Sequence, residues 1–283
     1  MDHTEAFENR KYLMPDGTLH RKARMEKPKI YPERVNVSDS AVAWEVLLPG
    51  YAPHYFVAPK VLEEDRTKKE GGWADPERLE NIGRELKSYE GAVRIDKKTG
   101  RPQNPKGRTG IEDRGLLGKW GANFAADPII TRINPNTGML EMIAIQRKDT
   151  GQLAIPGGMV DYGEDIAQTL QRELEEETGV SIDMTHAELV YQGYIDDPRN
   201  TDNAWMETSA KHIHVADDEA SKMHLVAGDD AQAVQWLLLT REAVGSLYAS
   251  HATLVRATLQ YMREKKRDML PQKNREQIKG ICE

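Results

Sequence analysis

The sequence predicts an α/β protein: an α/β/α sandwich with a mixed sheet, preceded by a smaller α+β domain. Two observations carry this prediction. After residue 126, short apolar runs recur on both sides of one strongly amphipathic segment at 164–178, as strands do around a helix. A second amphipathic segment at 249–266 closes the regular part of the chain and supplies the other helical layer of the sandwich.

The first part of the chain, residues 1–125, is expected to form the smaller accessory domain. Residues 1–40 are polar and are interpreted as a peripheral arm. The segment 97–113 is rich in Gly, Pro, Lys and Arg, so we interpret it as a long loop or linker, and the domain boundary is expected to follow it. The other predicted elements are strands at 42–48 and 54–61, a charged loop at 62–75 and a helix at 76–88.

Residues 126–283 alternate more regularly and are expected to form the second domain. The helix at 164–178 has Leu170 and Leu174 on one side. It stops before Gly179, a residue type that readily adopts the left-handed conformation at helix ends. The predicted strands lie at 128–133, 140–147, 152–155, 189–195, 204–215 and 233–239.

The charge balance and the cysteine content argue against several classes of protein. The chain of 283 residues carries a formal net charge of -7, which disfavours non-specific binding to nucleic acids or anionic membranes. No apolar run approaches the ~20 residues that cross a bilayer. The single cysteine, Cys282, excludes an intrachain disulfide, and the acidic residues Asp2, Glu5 and Glu8 argue against a transit peptide. We therefore expect a cytoplasmic monomer with no nucleic-acid partner and no direct membrane contact.

The segment 158–180 concentrates the charges that indicate chemistry. Glu173, Glu176 and Glu177 are spaced i, i+3 and i+4, so on a helix they share a sector of about 100° beside the apolar face. Three such carboxylates repel one another unless a cation lies among their oxygens, and oxygen ligands suit Mg²⁺ or Mn²⁺. Taken alone, the three glutamates fit equally well a solvated acidic helix face.

The residues around the three glutamates favour the metal site. Gly157 and Gly158 allow a close approach of the backbone to a ligand. The spacing of the whole segment resembles the Nudix box, the signature of the Nudix hydrolases, without a gap or a substitution. The positions of that box are filled by Gly158, Glu164, Arg172, Glu173, Leu174, Glu176, Glu177, Gly179 and Val180.

The resemblance to the Nudix hydrolases implies a role for each polar residue of the box. Arg172 would orient the carboxylates, Glu164 would support the loop and helix, and Glu173 is the first choice for the catalytic base. The implied ligands of Mg²⁺ or Mn²⁺ are Glu173, Glu176, Glu177 and the carbonyl oxygen of Gly158. Three acids further along the chain are alternative candidates for an extra ligand or base, although each is explained more simply as structural: Glu207, Asp229 and Asp230.

Longer stretches resemble one branch of the family, the ADP-ribose pyrophosphatases, which includes a mitochondrial enzyme and the C-terminal domain of the ADP-ribose-gated melastatin channel. They lie at 100–110, 114–132, 154–164, 191–208 and 247–251, with further matches near Trp44. The resemblance implies that ADP-ribose is contacted by Asp197, Arg199, Asn203, Tyr248 and His251. An arginine fork can bind phosphate bidentately. Without the resemblance, 196–200 is an ordinary surface turn, and Tyr248 and His251 are a partly buried aromatic residue and a helix-start histidine.

The function predicted from this resemblance is Mg²⁺-dependent hydrolysis of ADP-ribose to AMP and ribose 5-phosphate. The metal would neutralise the pyrophosphate and lower the pKa of a bound water. One alternative is an ADP-ribose-binding sensor module of a cation channel, with or without residual hydrolysis. Another is a different Nudix substrate, such as an oxidised nucleotide or NADH. A mitochondrial location after processing, or the cytosolic side of a plasma-membrane channel, are the corresponding alternatives to the cytoplasm.

Overall fold

The computed structural model describes residues 9–161, 163–228 and 231–283, and the chain divides into two compact units. The first unit comprises Met1–Phe124 and Gly193–Glu207, and the second comprises Ala125–Gln192 and Thr208–Glu283. The division after Phe124 lies beside the predicted domain boundary. The segment Gly193–Glu207 belongs to the first unit, whereas the sequence prediction assigns it to the second domain.

The first unit is built from short elements. Strands β1 and β4 pair in parallel, and β2 and β3 pair antiparallel. The unit also contains three 3-10 turns, at Asn9–Tyr12, Asp39–Ala41 and Leu79–Asn81. The helices are α1 (Lys22–Met25) and α2 (Pro59–Glu63), and the strands are β1 (His54–Val57), β2 (Arg94–Ile95), β3 (Pro102–Gln103) and β4 (Ile111–Gly115).

Two of the predicted elements of the first unit are wrong, and the predicted strand at 54–61 extends only over His54–Val57, because α2 begins at Pro59. The segment 42–48 forms no strand, because the Arg108 guanidinium takes the carbonyls of Ala41, Ala43 and Val46 as hydrogen-bond acceptors. The segment 76–88 forms only the 3-10 turn Leu79–Asn81 instead of an α-helix. Side-chain to backbone hydrogen bonds compete with regular ladders in such segments.

Two segments interpreted as peripheral are in fact packed inside the first unit. His20 and Ala23, within the predicted arm, are both fully buried, and the His20 Nδ1 lies 2.8 Å from the Tyr194 hydroxyl. The predicted linker at 97–113 contains β3 and part of β4, and its residues 106–111 are buried. Polar residues can be buried at this density only when their hydrogen bonds are satisfied, and single-sequence polarity does not reveal that condition. The part of the predicted arm at 1–8 lies outside the described residues.

The second unit contains the main sheet, whose strand order is β11-β6-β5-β10-β9, with β7 beside β6 and β8 beside β5. The strands are β5 (Gly121–Ile133), β6 (Leu140–Arg147), β7 (Leu153–Ala154), β8 (Gly158–Met159), β9 (Glu188–Tyr194), β10 (Ala204–His214) and β11 (Ala231–Leu238). Strands β5, β9 and β10 continue through the division between the units. The helices are α3 (Ile166–Thr178), α4 (Asp217–Ala220), α5 (Arg241–Gly245), α6 (His251–Lys265) and α7 (Gln272–Cys282).

Helix α3 follows directly from its sequence. Asp165 caps its N-terminus by accepting a hydrogen bond from the Gln168 N–H, and the Gln168 side chain returns a bond to the Asp165 backbone. Gly179 ends the helix with a φ of 69°. Leu170 and Leu174 are fully buried in the core of the second unit. These features fix the rotation of the helix, so that the carboxylates lie beside the apolar face, with Glu177 buried and Glu176 exposed.

The predicted α/β fold class is confirmed, and most predicted elements of the second half agree within a few residues, although β5 begins at Gly121, seven residues before the predicted strand. The sequence pattern did not predict β8, α4, α5 and α7. In the part of the chain that the structure describes, every helix is too short or too polar to cross a membrane.

Candidate functional site

The three glutamates of the box lie on α3 and differ in exposure. The side chain of Glu173 is 12% exposed and that of Glu176 is 59% exposed. Glu177 is buried, and its Oε2 accepts a hydrogen bond from the backbone N–H of Gly157 at 2.8 Å. The carboxylates thus extend from the glycine turn at 157–158 to the solvent-exposed side of the helix.

Arg172 joins the two ends of the box. Its Nε and Nη2 donate to the two carboxylate oxygens of Glu164 at 2.8 and 2.9 Å, a bidentate pair. Its Nη1 donates to Glu173 at 2.8 Å and to Glu176 at 3.1 Å, and its Nη2 also reaches the carbonyl of Met159. One guanidinium therefore sets the positions of three carboxylates, which supports the positioning role that the family resemblance implies.

The same contacts separate the acidities of the carboxyl groups. The hydrogen bonds from Arg172 lower the pKa of Glu164 to about 2. Burial raises the pKa of Glu173 above its ordinary value, although the charge of Arg172 opposes this effect. Glu164 is therefore a permanent anion, and Glu173 is the carboxylate that accepts a proton more readily.

The glycine turn at 157–158 is held tightly on both sides. Strand β8 pairs with β5, so that Gly158 lies opposite Ala126. A Cβ atom on Gly157 would lie 2.6 Å from the Ala126 carbonyl oxygen and 2.6 Å from Oδ1 of Asp127. A Cβ atom on Gly158 would overlap the Glu173 carboxylate. Glycine is required at 157, where a Cβ would meet the backbone of β5, whereas a Cβ at 158 would displace the Glu173 side chain.

The donor set fits a hard divalent cation in its chemistry. Glu173, Glu176 and Glu177 offer only oxygen ligands, as Mg²⁺ and Mn²⁺ prefer. The missing Cβ of Gly158 lets its backbone approach the Glu173 carboxylate closely. Among the described residues, however, no three His, Cys, Asp or Glu side chains are already gathered as a complete ligand cluster. Glu173, Glu176 and Glu177, with the Gly158 carbonyl, are the residues that would hold the ion.

Asp127 lies on β5 beside the glycine turn at 157–158, and the sequence analysis did not identify it. It is buried, its Oδ2 accepts a hydrogen bond from Thr208 Oγ1 at 2.5 Å, and its Oδ1 lies beside Gly157. Glu177 bonds to the N–H of the same glycine from the helix. The signal in the sequence was a carboxylate inside an otherwise apolar strand, which is rare unless the charge has a partner.

His251 and Tyr248 lie at the start of α6, and the structure gives each a local partner. The Nδ1 of His251 accepts a hydrogen bond from the N–H of Ile155 at 2.9 Å, so the proton of the neutral ring resides on Nε2. The Tyr248 backbone N–H donates to the Leu153 carbonyl, and Arg147 stacks over the Tyr248 ring at 4.2 Å. His251 therefore anchors the strand end that leads into the glycine turn. Contact of either side chain with substrate stays a prediction.

Asp197 and Arg199 lie in the first unit and pair with each other. Nε and Nη2 of Arg199 each donate to an Asp197 oxygen at 2.8 Å, as does the Arg199 backbone N–H. Asp197 is buried, whereas the Arg199 side chain is 34% exposed. The carboxylate thus fixes the direction of the guanidinium. Phosphate binding by the outer edge of this fork stays a prediction.

Asn203 and Glu207 have structural partners in the first unit. The Asn203 amide accepts from the Asp113 N–H and donates to the Pro102 carbonyl. Glu207 is completely buried and accepts from Ser88, from Trp205 and from the Tyr89 N–H. These hydrogen bonds give Glu207 a structural role. Contact between Asn203 and the substrate stays a prediction. The alternative acids Asp229 and Asp230 lie outside the described residues.

An acidic helix tied by one arginine to a glycine turn is the arrangement that the Nudix signature describes, and comparison with known proteins supports this assignment. A model of the NUDIX domain matches residues 125–257. A second model, described as NUDT9-like, N-terminal domain, matches residues 37–121. Together with the relatives below, these matches show that the chain belongs to the Nudix hydrolases and carries a NUDT9-like N-terminal domain.

Individual relatives share most of the chain. It is 44% identical to a Caenorhabditis elegans nudix hydrolase over 78% of this chain and 88% of that protein. It is 40% identical to the mitochondrial ADP-ribose pyrophosphatase of Rattus norvegicus over 84% of this chain and 77% of the relative. A transient receptor potential cation channel, subfamily M member-like 2, of Nematostella vectensis is 38% identical over 84% of this chain but only 17% of the channel.

Proposed function

We propose that the protein hydrolyses ADP-ribose to AMP and ribose 5-phosphate with the help of Mg²⁺ or Mn²⁺. The observation that carries this proposal is the complete carboxylate helix, in which Arg172 holds Glu164, Glu173 and Glu176 beside the glycine turn. The similarity to the rat ADP-ribose pyrophosphatase supports the choice of substrate.

Each residue of the helix has a defined task in this proposal. A bound divalent ion supplies charge neutralisation and an activated water. Glu173, Glu176 and Glu177 hold that ion together with the Gly158 carbonyl, and Arg172 keeps the carboxylates in register. Glu173 is the proposed base, because its carboxylate lies directly beside the glycine turn. Asp197, Arg199, Asn203, Tyr248 and His251 are proposed to contact the substrate.

A turnover assay tests the proposal directly. The purified chain is incubated with ADP-ribose and Mg²⁺, and AMP and ribose 5-phosphate are quantified by chromatography. We expect both products in equal amounts, no turnover with excess chelator, and recovery when Mn²⁺ is added. The rate should rise with pH, because the metal-bound water must lose a proton. Products other than AMP and ribose 5-phosphate would redirect the proposal to another Nudix substrate.

A second candidate function is an ADP-ribose sensor, which the similarity to the Nematostella vectensis channel favours. A sensor gains nothing from hydrolysing its ligand, since turnover lowers occupancy. Tight binding of ADP-ribose that stays intact during long incubation with Mg²⁺ would make this the better assignment.

The mitochondrial and channel relatives also leave three proposed locations: the cytoplasm, the mitochondrion and the cytosolic side of a channel. Cell fractionation of the tagged native protein distinguishes them.

A further inference from the structure

A cavity of about 450 Å³ lies within the first unit. Tyr12, Trp44 and Trp205 contribute to its lining, together with the segments 88–94 and 103–106. None of the box glutamates, and none of the residues proposed to contact ADP-ribose, belongs to this lining. We call it the aromatic cavity. Part of the stretch 100–110 lines this cavity. That stretch resembles the ADP-ribose pyrophosphatases but has no role in the proposed hydrolysis.

Trp44 is half-buried and presents carbon surface to this cavity, whereas Tyr12 and Trp205 are almost completely buried behind it. The Trp44 indole N–H donates to the Asn104 carbonyl at 2.8 Å, and that of Trp205 donates to Glu207 at 2.6 Å. The Tyr12 hydroxyl donates to Glu45. Because these polar atoms are engaged elsewhere, what remains for a ligand is ring surface. Flat aromatic rings bind to such surfaces by stacking, as nucleobases do.

Positive charge surrounds the aromatic surface. Arg10, Lys11, Arg94 and Lys106 line the cavity, with Glu90 as its acid. Lys106 is largely buried and donates to Glu90 and to the Lys11 carbonyl. Lys11 and Arg94 share one further carboxylate, that of Glu45. Lys11, Arg94 and Lys106 thus share two carboxylates, in a protein whose net charge is -7, so a local concentration of cations favours an anionic ligand.

One buried acceptor in the lining lacks a partner. The Gln103 Oε1 makes no hydrogen bond to any described residue, while its Nε2 donates to Asp96 at 3.3 Å. Gln103 itself is 9% exposed. Buried side-chain oxygens are almost always bonded, so this atom indicates that a donor belongs beside it. A ligand with an N–H group would satisfy it.

We propose that the aromatic cavity binds a nucleoside 5′-monophosphate. The base stacks against Trp44 and donates an N–H to Gln103, while the phosphate pairs with Lys11, Arg94 and Lys106. The volume lies in the range of small-ligand sites, roughly 300–1,000 Å³. AMP, the product of the proposed hydrolysis, has this chemistry, but the binding site does not depend on that reaction.

Photolabelling with 8-azido-AMP in the presence of chelator tests the site on the intact protein, because no metal-dependent turnover is needed. We expect saturable labelling that maps to Trp44 or to peptides from 88–94 and 103–106, and that excess AMP suppresses. Label confined to other peptides overturns the proposal. Inorganic phosphate that competes as well as AMP also overturns it, because the site would then be a simple anion patch.

Matched charge variants localise the interaction. The double variant Lys11→Ala/Arg94→Ala removes two exposed cations of the cavity, and we expect about tenfold weaker labelling or more. Lys29→Ala/Arg78→Ala removes the same charge from exposed positions outside the lining and should label normally. Gln103→Leu should weaken AMP more than ribose 5-phosphate, which has no base. Equal losses in both double variants would show that only net charge matters and would refute the site.

Discussion

Arg172 shows how one side chain turns a sequence motif into a site. Its guanidinium engages Glu164, eight residues before it, and Glu173 and Glu176 on its own helix. A shallow surface depression borders this cluster and is lined in part by Glu164, Arg172 and Glu176, whereas Glu173 and Glu177 lie outside its lining. Like charges at this spacing are stable because the cation lies among them.

Glu177 provides the sharpest test of charge at the site. Glu177→Gln keeps an oxygen that can accept from the Gly157 N–H but removes the negative charge. If the carboxylate organises the metal, kcat for ADP-ribose should fall at least ~10²-fold, while KM changes much less. The control is Glu175→Gln, an exposed residue of the same helix that is outside the box. Near-normal turnover by Glu177→Gln at saturating Mg²⁺ would contradict the assignment.

Gly158 tests the closeness of the turn to Glu173. A methyl group at this position meets the Glu173 carboxylate, so Gly158→Ala should displace that side chain. We expect kcat to fall by about tenfold or more, with only a small change in the thermal midpoint. Gly163→Ala is a contrasting variant of the same loop, since a Cβ there meets nothing within 4 Å, although its φ of 90° adds some strain. Activity equal to that of Gly163→Ala would show that Glu173 adapts freely.

Among the elements, α3 is defined by local signals at both of its ends. Asp165 and Gln168 form a reciprocal cap, and Gly179 supplies the left-handed residue that ends the helix. Its apolar side fixes which way the carboxylates face. The short elements of the first unit behave differently, because Arg108 and other buried side chains hold their backbone in place of regular ladders.

The cap of α3 should contribute measurably to stability. Asp165→Ala removes the acceptor for the Gln168 N–H and should cost about 1 kcal/mol. For a chain of this size that corresponds to a thermal midpoint lower by roughly 2–4 °C. Thr240→Ala, which removes the side-chain cap of α5, serves as the comparison. Calorimetry decides the matter: an unchanged midpoint in Asp165→Ala would mean that packing alone stabilises α3.

The molecule as a whole contains buried histidines that make its stability depend on pH. Burial, assisted by Arg24, lowers the pKa of His20 from 6.5 to about 3. Burial also lowers the pKa of His212 from 6.5 to about 3, with His214 adding to the effect and Glu188 opposing it. The unfolded chain therefore takes up protons first as the pH falls. The stabilisation is full above pH 6.5 and is lost between pH 6.5 and 3.

Thermal unfolding between pH 7.5 and 5 measures this dependence. We expect the midpoint to fall on acidification, by an amount equivalent to about 2 kcal/mol for each buried histidine at pH 5. His212→Asn should flatten the profile, whereas replacement of the exposed His54 by Asn should leave its slope unchanged. A profile for His212→Asn as steep as that of the unaltered protein would show that His212 is not kept neutral by folding.

Local patterns in the sequence are sufficient to predict most elements of the second unit, including the carboxylate helix α3. Alternating apolar residues and the Asp165 and Gly179 signals are local, so they predict β6, α3 and β11 without knowledge of the neighbours. The spacing of Glu173, Glu176 and Glu177 likewise places them together through helix geometry alone. In both cases the information lies within a few residues of the element that it specifies.

The fold of the first unit and the contacts around the Nudix box depend on residues that are far apart in the sequence, so they are known only from the tertiary structure. His20 reads as a residue of a polar arm, but its hydrogen-bond partner Tyr194 is 174 residues away. Asp127 reads as part of a strand, but β8 and α3 bring Gly157 against it. Such residues depend on partners distant in the chain, and the free energy of burying a polar group is offset only when those partners are present. A single sequence therefore specifies regular, amphipathic elements better than buried polar contacts.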